Sequence, residues 1–589
     1  MTEFVFVSLK GRPLGQEILR KELEKSGISA RLVSMDTLYN NIFDKGEMAL
    51  SKRENVYKFR EGVKSYLRLL RKSVGEPRFF GMTMFDTIGA KQTDFVVAQE
   101  IKKAFPNSTL IAGGPAFNSN PRGFLRESGA DYAIRGEAEK SLVQLVKILS
   151  GKENGRIEKI PGIVYRGKRK IVATKAARLS LEEIRTAEFT YLKDGPVAIT
   201  YTERGCPNAC VFCTVPRKGN PAKIDEKTII EGILALAKNP EIKTISLQDD
   251  QFFLDKERAN RILDEIIRLG LNKRFAFDTQ ATVESLLKNG KADVQLIRKM
   301  KRAGIKGMAI GVEAFNNNML RELKGGRYTK EQAIEVLKEI RKFGIYTENF
   351  MLAGGIETRA RDFIESYYTA LRLEQKGIAH FYPSVIVQAN KGTAIHTRAE
   401  KENALATMNG RRVGAVKSGR TGTRMVLPKD EHLRALFVEK LRREKERVFT
   451  SADIPHIVKM AQNTKDPVAL KYARKIQSMA GQREAGRNLI ERIKGNLMER
   501  ILEREMKKAG IVISRKSAQE FWKNPENSER ITAEGEHLYQ AYRKLFVRAH
   551  TQKGIPRLRT IQEMKKITGA GITYNYQMKG IRKTKLRAK

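Results

Sequence analysis

Cysteine is scarce in this chain: three among 589 residues. That is too few, and the wrong parity, for the disulfide framework of a small secreted protein. No run of eighteen apolar residues occurs, so no transmembrane helix is expected. The N-terminus, MTEFVFVSLKGRPLG, lacks the basic leader and apolar core of a signal peptide. A cytoplasmic, reducing compartment is the expectation. Histidine is missing from the first 379 positions; all six lie at or beyond His380. Acidic residues are also short, 67 Asp+Glu against 112 Lys+Arg, a formal charge of +45. Thermophilic ion-pair networks would raise both signs together. The surplus implies a polyanionic partner, nucleic acid first and anionic membrane second, or a generally basic proteome.

What is present falls into segments. Residues 1–150 alternate short apolar runs with amphipathic stretches: FVFVSL (4–9), ARLVSM (30–35), FFGMTMF (79–85), TLIAGG (109–114) and DYAIRGE (131–137). Strands separated by helices predict a Rossmann-like parallel sheet, with ligands at the carboxyl ends of its strands. Residues 151–195 read as a linker carrying a hairpin around Gly167. Residues 196–395 return to strand–helix alternation, with strands expected at 197–205, 244–250, 274–280, 307–313, 347–354 and 380–388. Six such units predict a partial (β/α)6 barrel of the TIM type. Residues 396–575 read as a basic helical domain and 576–589 as a disordered basic tail. From 401 onward the chain has about 44 Lys+Arg against about 19 Asp+Glu.

Every cysteine lies in GCPNACVFC, Gly205–Cys213. Soft thiolates this close select zinc or an iron–sulfur cluster. Structural zinc closes its coordination with a fourth ligand, and no fourth cysteine exists. A four-iron cluster held by Cys206, Cys210 and Cys213 would leave one iron open. The loop follows a predicted barrel strand, on the end where such folds place their chemistry.

Cys206-x3-Cys210-x-Phe212-Cys213 resembles the cluster loop of the radical S-adenosylmethionine (radical SAM) enzymes. The resemblance implies a [4Fe–4S] cluster whose open iron chelates S-adenosylmethionine, and a reductive cleavage giving a 5′-deoxyadenosyl radical. It also implies an electron donor such as ferredoxin or flavodoxin. LQDDQF ends the second barrel strand where the family has a polar segment near the methionine amine, which points to Asp250, with Asp249 as the alternate. GMAIGVEAFN resembles the strand whose glutamate approaches the ribose, pointing to Glu313, with Gly311 permitting close approach. QANKGT resembles the barrel terminus, but Asn390-Lys391 replaces the usual proline, and no site is assigned there.

The first segment resembles the cobalamin-binding domain that precedes the barrel in one radical SAM subgroup, through FVFVSLKGR, Gly113-Gly114-Pro115 and ADYAIRGEAEKSLVQLV. The resemblance implies that Gly113 and Gly114 let the chain approach the corrin and that Arg135 and Glu137 hydrogen-bond its amides. With no histidine in this domain, an axial imidazole from it is excluded. A degenerate domain that keeps the fold without the cofactor is the alternative. The methylthiotransferases are disfavoured, because their first domain needs three further cysteines.

Together these features predict a cobalamin-dependent radical SAM enzyme that modifies an unactivated carbon, by methylation in the first instance. Ring closure and rearrangement use the same parts. The alternative class is a nucleic-acid-binding protein or RNA-modifying enzyme, its cluster structural or redox-sensing, without cobalamin. Tyr539, Tyr542, Tyr574 and Tyr576, among the cations of the tail, would then stack bases. An open coordination position together with Asp250 and Glu313 at strand ends favours the enzyme.

Overall fold

The computed structural model describes residues 2–9, 14–35, 53–85, 88–215, 217–407, 424–443 and 447–480. Strands β1 (Phe4–Ser8), β2 (Ala30–Ser34), β3 (Phe79–Thr83), β4 (Thr109–Gly113) and β5 (Tyr132–Ile134) pair in parallel in the order 2-1-3-4-5. This is a doubly wound sheet. Strand β1, an interior strand between β2 and β3, is buried on both faces, so FVFVS is continuously apolar rather than alternating. Phe4, Phe6, Ile111 and Ile134 pack against Leu23, Leu142 and Leu145 on one side. Val5, Val7, Phe80 and Met82 pack against Phe59, Val63, Leu67 and Ile101 on the other. Among these, Phe59, Val63 and Leu67 belong to the helix Arg53–Val74, a segment to which the sequence reading assigned no element.

The hairpin expected in the linker exists as β6 (Ile163–Arg166) and β7 (Ile171–Ala173), but it is not a linker element. Strand β6 pairs antiparallel with β5, so the hairpin completes the first sheet at seven strands. Local turn chemistry marks a hairpin without saying which open sheet edge it will cover.

A second seven-stranded sheet starts earlier than expected. Strand β8 (Leu192–Asp194) pairs antiparallel with β9 (Val197–Thr200), and the short β10 (Glu203–Arg204) and β11 (Ala222–Lys223) bracket the cysteine loop. Strands β9, β12 (Thr244–Leu247) and β13 (Ala276–Thr282) lie parallel in that order. After a small hairpin, β14 (Leu287–Lys288) and β15 (Lys291–Ala292), the parallel series continues through β16 (Ile305–Glu313), β17 (Tyr346–Met351) and β18 (His380–Phe381). Six parallel strands in sequential order make the partial barrel. Its helices begin on matched caps: Asp225, Asp255, Asp293 and Asn316 accept first-turn backbone N–H groups, and Thr329 forms a capping box with Gln332.

The expected strand 380–388 is broken. Only His380–Phe381 pairs with β17 itself; β19 (Ser384–Val385) bridges to Leu352 just beyond β17 and pairs antiparallel with β22 (Val448–Phe449) on its other side. Strands β20 (Leu405–Thr407) and β21 (Arg424–Val426) pair with each other, and Ala389 and Val426 hydrogen-bond across to Arg424 and Val387. The expected boundary at 395/396 is therefore incorrect, since one compact unit runs from Met1 to Ile476. The polypeptide returns to the barrel's end because β19 otherwise has an unpaired edge. A buried ion pair, Lys440 to Asp453 at 2.7 Å, fixes the following helices. The basic tail and Tyr539, Tyr542, Tyr574 and Tyr576 lie outside the described residues. Among those described, no helix is long and apolar enough to cross a membrane.

Candidate active site

The cysteine loop is hung from the ends of the first two barrel strands. Asp249 accepts the backbone N–H groups of Thr202 and Glu203, the latter at 2.9 Å, and the Thr202 hydroxyl at 2.7 Å. Asp250 accepts the N–H of Gly205 at 2.8 Å. Gly205 has φ +96°, and a Cβ there would run into Arg217, so only glycine makes this entry. Asp249 is fully buried and spent on these bonds, which rules it out as the alternate ligand for the methionine amine. Asp250 is half-buried, braces the residue before Cys206, and has its pKa pushed up by burial.

Cys206 and Cys210 are buried and Cys213 is partly so; all three are free thiols. Burial pushes the Cys206 thiol up to about 11 and raises Cys213. Such thiols keep their protons until a metal displaces them. Around the sulfurs stand N–H donors: Asn208 to Cys206 and Val215 to Cys213, both at 3.4 Å, and Arg327 Nη2 to Cys210 at 2.8 Å. Lys218 ties the loop's carbonyls at Cys210 and Cys213, at 3.2 and 2.9 Å. Among the described residues, no three His, Cys, Asp or Glu side chains converge as ligands of a single ion do. A four-iron cluster fits this arrangement better, because each thiolate takes its own iron.

Facing the loop, Glu313 closes β16. It is a buried non-glycine residue at φ +62°, placed by a register shift between Gly311 and Glu313. Backbone of this kind is strained and survives where the surroundings impose it. Burial raises the Glu313 pKa, with Lys324 Nζ 3.7 Å away opposing the rise. A Cβ on Gly311 would stand 2.7 Å from Glu313 Oε1, so this glycine does leave room. Three neighbours went unnoticed in the sequence: Glu284, Lys324 and Arg327. Glu284 Oε1 accepts from Asn208 Nδ2 at 2.9 Å and from Arg327 Nε at 3.0 Å, while its buried Oε2 has no partner. An orphaned buried carboxylate oxygen beside the cysteines suits a hydroxyl- or ammonium-bearing ligand such as S-adenosylmethionine. Glu284 sits two residues beyond β13, so the same strand-end position that flagged Asp250 would have found it.

Two cavities join the doubly wound sheet to the barrel. One, of about 510 Å3, is walled by Gly113, Gly114 and Glu137 on the first side and by Tyr201, Gly205 and Asp250 on the other. Gly114 has φ +96°, and a Cβ there would meet Thr83 Cγ2 at 2.7 Å and the Met84 carbonyl at 2.8 Å. The second, of about 670 Å3, sets Phe85, Pro115 and Asn118 opposite Phe212 and Cys213, with Asn390 and Lys391 in its wall.

The expected roles of Arg135 and Glu137 need correction. Arg135 lines neither cavity, because Ile134 and Gly136 face the first one and the alternation of the chain turns Arg135 away, towards Arg122. The Glu137 carboxylate is committed: it accepts from Arg217 Nε and Nη2 at 2.7 and 2.6 Å and from the Leu179 N–H at 2.9 Å. It holds the first domain to the cysteine loop rather than waiting for a corrin amide.

Residues 201–366 match the model of the Radical SAM superfamily. An uncharacterized methyltransferase of Pyrococcus horikoshii is 28% identical over 353 residues, covering 57% of this chain and 72% of its own. The fold is similar to TsrM, a radical S-adenosylmethionine methyltransferase from Kitasatospora setae solved with cobalamin and a [4Fe–4S] cluster. That match has a TM-score of 0.58 at 14% identity and covers 82% of this chain and all of TsrM. It is also similar to OxsB, a cobalamin-dependent radical enzyme solved with aqua-cobalamin and S-adenosylmethionine, at TM-score 0.54, 16% identity, 96% of this chain and 84% of OxsB. Residues 201–366, with the three-cysteine loop at the mouth of a partial barrel, thus carry a Radical SAM superfamily domain, and with the doubly wound domain in front of it the chain has a fold similar to those of TsrM and OxsB.

Proposed function

We propose that the protein is a cobalamin-dependent radical SAM methyltransferase acting on an unactivated carbon. The observation that carries this reading is the second cavity, where Cys213 faces the loops after β3 and β4 of the first domain. When bound, the cluster supplies the electron that cleaves S-adenosylmethionine, and cobalamin supplies a transferable methyl group. Cys206, Cys210 and Cys213 would hold the cluster, and Arg327 would favour its reduced, more negative form through the N–H directed at Cys210. Glu313, Glu284 and Lys324 would orient S-adenosylmethionine, with Asp250 keeping the loop in register. Gly113 and Gly114 would let the corrin lie close to the backbone, without an axial histidine from this domain. Phe85 and Phe212 would exclude water from the reacting face.

The electron would come from an acidic ferredoxin or flavodoxin, attracted by the strongly basic surface. Three free thiols kept for a cluster suit the cytoplasm. The nucleic-acid reading rests on the charge surplus and on the basic tail with Tyr539, Tyr542, Tyr574 and Tyr576, which lies outside the described residues.

Anaerobic reconstitution with iron, sulfide and hydroxocobalamin tests the proposal. Expected results are a reduced-cluster EPR signal that shifts on adding S-adenosylmethionine, 5′-deoxyadenosine that disappears in Cys210→Ala, and corrin absorbance that survives desalting. A cluster signal indifferent to S-adenosylmethionine would sink the enzyme reading. Loss of all corrin on desalting would sink the cobalamin half.

A further inference from the structure

The inside of a closed (β/α) barrel is normally filled by layers of bulky branched side chains. The inside of this one is not. On β12, β13, β16 and β17 the residues that pack on the helices are Ile245, Leu247, Phe277, Met308, Ile310 and Met351. The alternating residues therefore face the lumen. On β16 these are Gly307, Ala309 and Gly311; Gly307 and Ala309 leave a floor almost without side chains, while Glu313 Oε1 and Lys324 Nζ lie over Gly311. A Cβ at Gly307 would meet nothing nearer than Asp278 Cβ at 4.0 Å.

The walls beside that floor are polar and acidic. Register sets Ser246 beside Asp278 and Asp278 beside Gly307 in one layer; Gln280, Ala309, Glu348 and His380 follow in the next. Ser246 donates to Asp278, Gln248 donates to Ser246 at 2.6 Å, and Gln280 donates to Gln248 at 2.9 Å. Across the floor, Tyr382 donates to Glu348 at 3.0 Å. The two carboxylates feel each other, since the charge of Glu348 adds to the burial that raises the Asp278 pKa. The one lysine or arginine on these four strands is Lys306, the extra residue of a bulge at the amino-terminal end of β16. His380 is turned to Glu374 at 3.0 Å. In a chain of charge +45, this is an acidic lumen.

At the carboxyl end the lumen meets aromatic rings. Phe350 and Tyr382 stack at 5.0 Å with 5° between their planes, yet remain 46% and 39% exposed; at the opposite, amino-terminal end of β17, Tyr346 beside Gly307 is 55% exposed. Large apolar rings left open inside a barrel, rather than on its outer surface, mark a place for a ligand.

We infer that this lumen binds a flat substrate carrying a positively charged nitrogen, its charge held between Asp278 and Glu348 and its apolar plane over Gly307 and Ala309 beside the Phe350–Tyr382 pair. The inference deepens the proposed function and rests on it for calling the occupant a substrate. Carboxylates confronted by a cation form charge-assisted hydrogen bonds, whereas an anion of the same shape meets repulsion.

Equilibrium dialysis of the full-length, anaerobically reconstituted protein tests it with two probes of one ring system, 1-naphthylmethylamine and 1-naphthylacetate. The amine should bind about tenfold tighter or more. Glu348→Gln and Asp278→Asn should each shrink that preference, and Gly307→Val should weaken both probes by filling the floor. Cluster absorbance and far-UV circular dichroism identify any variant that has not folded, and the wild-type comparison of the two probes needs no variant. Equal or tighter binding of the acetate, or a preference unchanged in both carboxylate variants, overturns the inference. Formation of 5′-deoxyadenosine by the wild type is measured separately. Its absence would count against the enzyme reading, while its presence without a cation preference would count against this inference alone.

Discussion

Arg217, four residues past the last cysteine, grips Glu137 of the first domain through two hydrogen bonds of 2.7 and 2.6 Å, with its side chain 4% exposed. Beside it, Arg204 reaches Glu139 at 2.6 Å. The loop that carries the cysteines is thereby tied to the sheet in front of it. Removing one partner of a buried pair strands the other charge, which costs about 3–5 kcal/mol. Glu137→Ala should therefore lower the urea midpoint strongly, and an Arg217→Met, Glu137→Leu double variant should recover much of the loss. A double variant no better than the singles would show that the pair is not the cause.

Two buried carboxyls predict how stability depends on pH. Burial raises Asp94 to about 8 and Glu203 to about 8, the latter aided by the charge of Asp249. The unfolded chain releases these protons near the ordinary values of 3.8 and 4.5, while the folded chain keeps them to about 8. Their contribution is complete below the ordinary values and is lost as the pH climbs towards 8, by at most about 1.4 kcal/mol per pH unit for each group. Urea titrations between pH 5 and 8 should show the midpoint falling, and Asp94→Asn should flatten the slope. Since Asp94 accepts the N–H of Phe85 at 2.9 Å, the same variant reports on the loop that walls the second cavity.

Arg327 places a positive charge and an N–H on Cys210, and both stabilise a reduced cluster. Arg327→Met should shift the cluster's reduction potential downward in a dye-monitored titration. Cleavage of S-adenosylmethionine should fall about 10–100-fold, the usual effect of losing an outer-shell partner. An unchanged potential would reduce Arg327 to a packing residue.

Gly114 turns the chain at φ +96° between Thr83 and Met84. Gly114→Val should cost about 1–3 kcal/mol of folding stability from the strained backbone alone. If the corrin lies against this turn, the fraction of cobalamin surviving desalting should fall well beyond what the lost stability explains.

The sequence carried some of this plainly and some not at all. The cysteine loop was legible because its three ligands are neighbours in the chain, and the barrel because its strands pair in sequential order. Glu137 was assigned to the corrin from its place after a strand; the arginine that occupies it lies 80 residues away. Arg135 failed for the opposite reason, a single-residue alternation that turned it from the cavity. Glu284 and Arg327 acquire meaning only when the end of β13 and the loop after the helix Asn317–Lys324 meet over Cys210. The attachment of the expected hairpin to β5 and the pairing of β22 with β19 were not legible because open sheet edges, rather than local pattern, decide where such segments attach.

The first cavity has a practical consequence. Gly205 forms part of its wall, and Gly205 is both the residue whose N–H Asp250 holds and the immediate predecessor of Cys206. A guest filling that space presses on the neck of the cysteine loop. By the reciprocity of linked equilibria, whatever such a guest adds to the grip on the iron, the iron returns to the grip on the guest. Where that exchange is favourable, loading of the two sites would be cooperative and half-loaded molecules would be scarce.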